Sequence, residues 1–180
     1  MKILHVYAQK PDHTGSGVYI QNLIKTLHNQ GISNYLICAT SVFDDIDKDF
    51  LQALDHIDVI KFDTKDLPFP VPGMSDDMPY KSSIYSKMSE EELTLWQNAF
   101  YNSLKKAKAY KPDKIIVHHL WGLVPIVLDN FDPNLVTAIC HGTDMRQLKL
   151  FKHLNNANID FIENILSSIQ KLSDIIALND

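Results

Sequence analysis

The sequence predicts an α/β fold: a doubly wound, mainly parallel sheet with helices on both faces, forming one domain over residues 1–180. Three observations carry this expectation. Strand-sized apolar runs recur along the chain without polar alternation, as strands buried on both faces do. Stretches with helical periodicity separate them. A glycine-bearing turn joins the first apolar run to the first periodic stretch.

Lys2-Ile3-Leu4-His5-Val6-Tyr7 reads as the first strand, followed by the loop Asp12-His13-Thr14-Gly15-Ser16-Gly17. Ile20, Leu23, Ile24 and Leu27 then recur at i, i+3, i+4 and i+7, one apolar stripe on a helix. Gly31 stands where a left-handed cap would end it. Residues 35–39 and 57–62 read as the next strands, with an acidic stretch at 44–49 and a short helix near 50–54 between them. Residues 63–87 contain four prolines and show no clean periodicity, which predicts a functional or mobile loop.

Ser89 with Glu92 three residues on predicts a capping box. Leu93, Trp96, Phe100, Leu104 and Ala107 form the core stripe of the helix that follows. Lys105, Lys106 and Lys108 fall in its last turn, where the helix dipole favours cations, and Pro112 lies beyond its end. Residues 114–118 and 135–140 predict two further strands, with a short helix to about Leu128 between them. The last helix places Ile162, Ile165, Leu166, Ile169 and Leu172 on one face, and residues 174–178 read as a final strand.

Composition narrows the partners. Hydrophobic residues are 45% and charged residues 22% of the chain, ordinary for a globular domain. A net charge of -5 argues against nucleic acid, whose phosphates need a basic surface. No apolar run is long enough to span a bilayer, and the first residues lack the core and cleavage site of a signal peptide. Cys38 and Cys140, each near the end of an apolar run, are expected to be buried and reduced, which suits the cytoplasm.

In an open α/β sheet, ligands bind beyond the carboxyl ends of the strands. Gly15 and Gly17, then His118, His119 and Trp121, then His141, Gly142, Thr143 and Asp144, and finally Asn179 all fall on that rim. Gly15-Ser16-Gly17 at a helix start could cradle phosphate with free backbone amides, or could be a plain tight turn. Ile20 and Gln21 stand where a third glycine of a dinucleotide fingerprint would fall, so NAD is not expected. His141, on a turn that Gly142 makes flexible, could meet a sugar hydroxyl or move a proton; a structural role in satisfying backbone groups is the alternative.

No metal is expected. The histidines lack metal-ligand spacing, and His118 and His119, adjacent on a strand, should point to opposite faces. Asp45-Ile46-Asp47 is read as solvated acid at a helix start rather than a cation site. The lysines between 105 and 114 are read as a solvated helix end, with at most a peripheral membrane role.

Taken together, these residues resemble the N-terminal domain of the retaining glycosyltransferases of family GT4. The markers are the opening Met1-Lys2-Ile3-Leu4-His5-Val6, the loop Gly15-Ser16-Gly17-Val18-Tyr19, and Lys111-Pro112-Asp113-Lys114-Ile115-Ile116-Val117-His118-His119. His141-Gly142-Thr143-Asp144 and Ser173-Asp174-Ile175-Ile176-Ala177-Leu178 complete the set. The resemblance implies the Rossmann-like, acceptor-side half of a GT-B fold. It also implies transfer of a sugar from a nucleotide-sugar donor to a hydroxyl of a carbohydrate or lipid-linked acceptor, with retention and without a metal or cofactor.

On that resemblance Gly15, Ser16 and Gly17 lie beside the donor phosphates, and His141 touches the transferred sugar. His118, His119, Trp121, Gly142, Thr143, Asp144 and Tyr80, the last on the 63–87 stretch, are candidate sugar or acceptor contacts. Gly-Ser-Gly replaces the family's common paired glycines, and Asp144 stands where glutamate is frequent. The glutamates Glu90, Glu91, Glu92 and Glu163 include no pair with the family's E-x7-E spacing, so the donor-binding half is expected to be a separate C-terminal domain and this fragment inactive alone. A sugar-nucleotide epimerase of the same architecture and a non-enzymatic doubly wound binding module are the competing readings.

Overall fold

A parallel sheet buried on both faces needs two apolar layers, one from each set of alternate side chains. The structure, a computed structural model describing residues 1–12, 14–75, 77–151 and 159–178, supplies both. In chain order its elements are β1 (Lys2–Tyr7), α1 (Gly15–Asn29), β2 (Ser33–Ser41), α2 (Lys48–Leu51), β3 (His56–Phe62), β4 (Pro72–Gly73) and β5 (Ser83–Ile84). There follow α3 (Glu90–Ala107), β6 (Lys114–His118), α4 (Leu123–Leu128), β7 (Val136–Cys140), α5 (Gly142–Phe151), α6 (Ile159–Ile169) and β8 (Asp174–Ala177).

A 6-stranded sheet has the order β3-β2-β1-β6-β7-β8, every neighbouring pair parallel. The short β4 and β5 pair separately. Side-chain parity sorts the layers. Leu4, Val6, Ile37, Ala39, Ile115 and Val117 join a large core with Trp96, Phe100 and Leu104 of α3, with α4, and with Ile165 of α6. Tyr7, Leu36 and Cys38, one residue out of phase, join a smaller core with Ile20 and Ile24 of α1 and Phe50 of α2. Helices therefore cover both faces, and the fold is the expected Rossmann-like, doubly wound one. The direction of winding reverses between β1 and β6, which makes their carboxyl ends the switch point where such sheets open a crevice.

Local chemistry sets the helix ends. Thr14 caps α1, its hydroxyl accepting from the Gly17 amide at 2.9 Å. At the other end Gly31 takes φ 74°, and Ile32 N donates to Leu27 O while Gly31 N donates to His28 O, a Schellman ending. The capping box of α3 is complete: Glu92 N donates to Ser89 Oγ at 3.2 Å and Ser89 N to Glu92 Oε2 at 2.8 Å. All of its expected stripe is buried, and each large apolar side chain so placed contributes about 1.5–3 kcal/mol. Asp47 caps α2 by accepting from Asp49 N, so the Asp45-Ile46-Asp47 acids serve a helix start.

Three expectations need correction. Within residues 63–87 a short alternation runs from 67 to 71: Leu67, Phe69 and Val71 are buried in the large core, while Pro68 is exposed and Pro70 half-buried. Prolines on the outward positions of an extended segment disguise a strand-like alternation. Second, α5 begins at Gly142, where a flexible turn was expected. Third, Leu166 on the expected apolar stripe of α6 is exposed, as are all four residues of β8. Asn179 lies outside the described residues. Among the described residues no helix is long and apolar enough to cross a membrane.

Candidate functional site

The switch point opens into a cavity of about 450 Å³. Its walls come from four places in the chain: Gln9 beyond β1, Thr14, Gly15 and Ser16 at the start of α1, His119 beyond β6, and His141, Gly142, Thr143 and Arg146 at the start of α5. Met74, Ser75, Asp77, Met78 and Pro79 close the remaining side. That side is tied to the rim. Gln147 Nε2 donates to Met74 O at 2.7 Å, and Gln9 Nε2 to Pro72 O at 3.4 Å.

Two helix N-termini meet here. The first amides of a helix have no intrahelical acceptor and carry the positive end of its dipole. Gly15 and Ser16 open α1 and Gly142 and Thr143 open α5, and all of them line the cavity. Arg146 stands one turn into α5, on the same face as Gly142. A Cβ on Gly15 or Gly142 would meet nothing within 4 Å. Gly142 has no positive φ and opens α5, so neither backbone strain nor packing within the fold requires glycine there.

Gly17 does something else. A Cβ there would lie 2.6 Å from Asp12 O and 2.7 Å from Asp12 N, so glycine is required for the loop to close on itself. It does not line the cavity that Gly15 and Ser16 line.

A carboxylate organises the opposite wall. Asp144, 4% exposed in the first turn of α5, accepts from His141 N at 2.7 Å and from Trp121 N at 3.1 Å, and lies 3.2 Å from His119 Nδ1. The bond to His141 N is half of a capping box, an acid at the third helical position reaching back to the residue before the helix. Asp144 therefore starts α5 and fixes three neighbours at once. That spacing, an acid three residues after His141, was the sequence signal for the helix.

His119 adopts φ 79°, a left-handed conformation rare for a residue with a side chain. The turn takes it off β6, so His118 and His119 do not simply face opposite sides of a strand: both rings pack on Tyr7. Tyr7 and His119 stack at 5.9 Å, and His119 and His141 lie 4.4 Å apart on centroids. Tyr7 Oη is 2.9 Å from Ser16 Oγ and 3.2 Å from Thr14 Oγ1, linking this aromatic stack to the α1 loop. Burial pushes the Tyr7 phenol up to about 12 and the His141 imidazole down to about 4, the latter with help from the neighbouring His119. At neutral pH both are uncharged.

Not every sequence candidate reaches the cavity. His118 is fully buried below it, Trp121 and Asp144 stand behind its wall, and Tyr80 lines a separate 270 Å³ cavity with Lys10, Asp44 and Asp63. Sequence reasoning missed Gln9, Thr14 and Arg146. The arginine was legible once Asp144 is seen to start a helix, since four residues separate it from Gly142. Among the described residues no group of three or more His, Cys, Asp or Glu gathers as a metal site would.

No protein family matches the sequence, and no curated protein matches it either.

Proposed function

We propose that this chain is the acceptor-side domain of a retaining glycosyltransferase, taking a nucleotide-sugar donor whose phosphates rest in the cavity at the switch point. One observation carries the reading: the N-termini of two long helices, α1 and α5, and the Arg146 guanidinium line one cavity beside uncharged hydroxyl-binding groups. Free amides and a guanidinium suit phosphate oxygens. The neutral His141 imidazole and the nearby hydroxyls suit a sugar. A diphosphate sugar presents both in one molecule, and the cavity is the size of a small polar ligand.

The sequence resemblance supports the same choice, since its phosphate loop and histidine fall on Gly15, Ser16, Gly17 and His141, of which Gly15, Ser16 and His141 line the cavity. On this reading the protein supplies position and charge. The helix amides and Arg146 hold the leaving phosphates, while His141 and its neighbours fix the sugar ring as positive charge develops on it. No metal or cofactor is required, a second Rossmann-like domain carries the nucleotide base, and reaction takes place in the cytoplasm.

Titration calorimetry with pyrophosphate, glucose 1-phosphate and a panel of nucleotide sugars tests the reading. Binding that needs the phosphate and weakens in Arg146→Gln is expected. Absence of any phosphate-dependent binding overturns it. Release of an epimerised free sugar without an acceptor moves the assignment to the epimerase class.

A further inference from the structure

Asp144 decides the state of His119. An ionised carboxylate can only accept hydrogen bonds. His119 Nδ1 lies 3.2 Å from Asp144 Oδ2, so it is the nitrogen that carries the proton. In the neutral ring Nε2 then keeps its lone pair. That atom is buried and has no partner, in a residue 2% exposed that lines the cavity. Buried acceptors are normally satisfied, so an unpaired one at a cavity wall marks a place for a donor from outside the chain.

The surroundings make this site a fixed one. The ring is held between Tyr7 and His141, and Asp144 is locked by the amides of His141 and Trp121. His119 N also donates to Ile139 O at 3.1 Å, which ties the left-handed backbone turn to β7. The tautomer, the ring plane and the backbone are thus each set by a different contact. A side chain so constrained is preorganised to receive a ligand.

We infer that His119 is a hydroxyl-recognition residue, its Nε2 accepting a hydrogen bond from a hydroxyl of a sugar or similar polyol in the cavity while Asp144 holds the opposite side of the ring. The inference deepens the reading above by placing the sugar against His119, with the phosphate on the Gly15 and Gly142 side. It assigns Asp144 as a positioning residue, acting through His119 and not on the ligand.

Nitrogen-15 NMR of the uniformly labelled protein, reading histidine ring nitrogens and backbone amides, tests both ideas separately, with glucose 1-phosphate and inorganic phosphate as probes. In the free protein His119 is expected as the Nδ1–H tautomer. Glucose 1-phosphate should move its Nε2 resonance upfield, as hydrogen bonding to a ring lone pair does, and should move the Gly15 and Gly142 amides. Inorganic phosphate should move only the amides. Amide shifts without an Nε2 response, or an Nε2–H tautomer in the free protein, overturn the hydroxyl site and leave the phosphate reading standing. An Nε2 response without amide shifts supports the hydroxyl site and overturns the phosphate reading; silence at both positions overturns both.

His119→Phe gives a second measure, since it keeps an aromatic plane and deletes Nε2. Loss of one such bond is expected to weaken glucose 1-phosphate about fivefold and leave inorganic phosphate unchanged. Equal weakening of both probes would show a structural role. Should that variant fail to fold, the wild-type tautomer and titration still decide.

Discussion

Two pairs of histidines lie a single step apart in this sheet and have different fates. His5 and His118 stand on the neighbouring strands β1 and β6, stacked at 5.7 Å and fully buried. Asn34 Nδ2 donates to Ile32 O, which turns Asn34 Oδ1 toward His5 Nε2 at 3.1 Å. His5 Nε2 must then carry its proton, and His5 Nδ1 accepts from His118 Nε2 at 3.4 Å. This pair lies wholly inside the fold, away from the cavity, and its last ring nitrogen, His118 Nδ1, is buried without a hydrogen-bond partner. His119 and His141 follow the ends of β6 and β7, where the chain has left the sheet, and both line the cavity with Nε2 atoms that have no partner. Residue type is the same in the two pairs. Crossing the carboxyl end of a strand is what converts a core histidine into a site histidine.

The sharpest way to break that contrast is to remove the group that holds each pair. Asp144 serves the outer pair and accepts from three donors, so Asp144→Ala takes this acceptor from the buried Trp121 amide, the part-buried His141 amide and the buried His119 ring. A loss of about 3–4 kcal/mol of stability is expected, by the logic of breaking one side of a buried polar network. Asn34→Ala removes a neutral partner from the inner pair and should cost about 1–3 kcal/mol. Chemical denaturation at neutral pH ranks the two. A larger cost for Asn34→Ala would mean that the outer pair is the less organised one.

Acid distinguishes the pairs next. Burial lowers His5 from 6.5 to about 4, opposed by its bond to Asn34, and lowers His118 well below its ordinary value, with His5 next in effect. A histidine whose folded value is depressed binds its proton more readily when unfolded. Stability from this source is therefore full above pH 6.5 and is lost as pH falls from 6.5 toward 4. For His5 alone the loss amounts to about 3 kcal/mol. His5→Gln keeps a donor for Asn34 and should flatten the stability–pH slope in that window. His141, partly exposed, should contribute less because solvent screens it. A slope unchanged in His5→Gln would show that the inner pair does not set acid sensitivity.

How much of this was legible beforehand follows from where the information is local. The strands, the α3 stripe from Leu93 to Ala107, its capping box and the Gly31 ending each depend on a few adjacent residues, and the structure matches them. The rim positions of Gly15, Ser16, His119, His141, Gly142 and Thr143 were legible too, because parallel topology sends every strand's carboxyl end to one edge. What stayed hidden is non-local or masked by competing signals. The pairing of His119 with Asp144 spans the β6 and β7 units, and the inward Leu67, Phe69 and Val71 were obscured by intervening prolines. Gly17 looked like a ligand glycine, since no sequence rule reveals a backbone approach from Asp12.

The loop glycines offer a smaller effect that separates fold from site. Gly17→Ala puts a methyl 2.6 Å from Asp12 O and should cost about 1–3 kcal/mol of stability, as overpacking does. Gly15→Ala meets nothing within 4 Å and should leave stability nearly unchanged while narrowing the anion side of the cavity. Thermal melting and pyrophosphate titration of both variants check this. If Gly17→Ala melts like wild type, the loop is free to shift and its glycine is not required by packing.

The smallest expected change in stability, and the cleanest change in binding, belongs to Arg146. Its side chain is exposed at the cavity edge and makes no ion pair among the described residues. Among the described residues no ion pair depends on its charge, so Arg146→Gln should move the unfolding free energy by less than about 0.5 kcal/mol. Arg146 lines the same space as the Gly15 and Gly142 helix starts, and there it adds a positive charge to two helix dipoles. Pyrophosphate affinity should fall about fivefold at low ionic strength in Arg146→Gln and less in Arg146→Lys, which keeps the charge but loses the paired donors. The gap between wild type and Arg146→Gln should narrow as salt rises from about 0.01 M to about 0.15 M, because an exposed charge is screened over that range. A gap that persists unchanged with salt would mean that Arg146 acts through direct, desolvated hydrogen bonds. No gap at any salt would leave the two helix starts as the whole anion site.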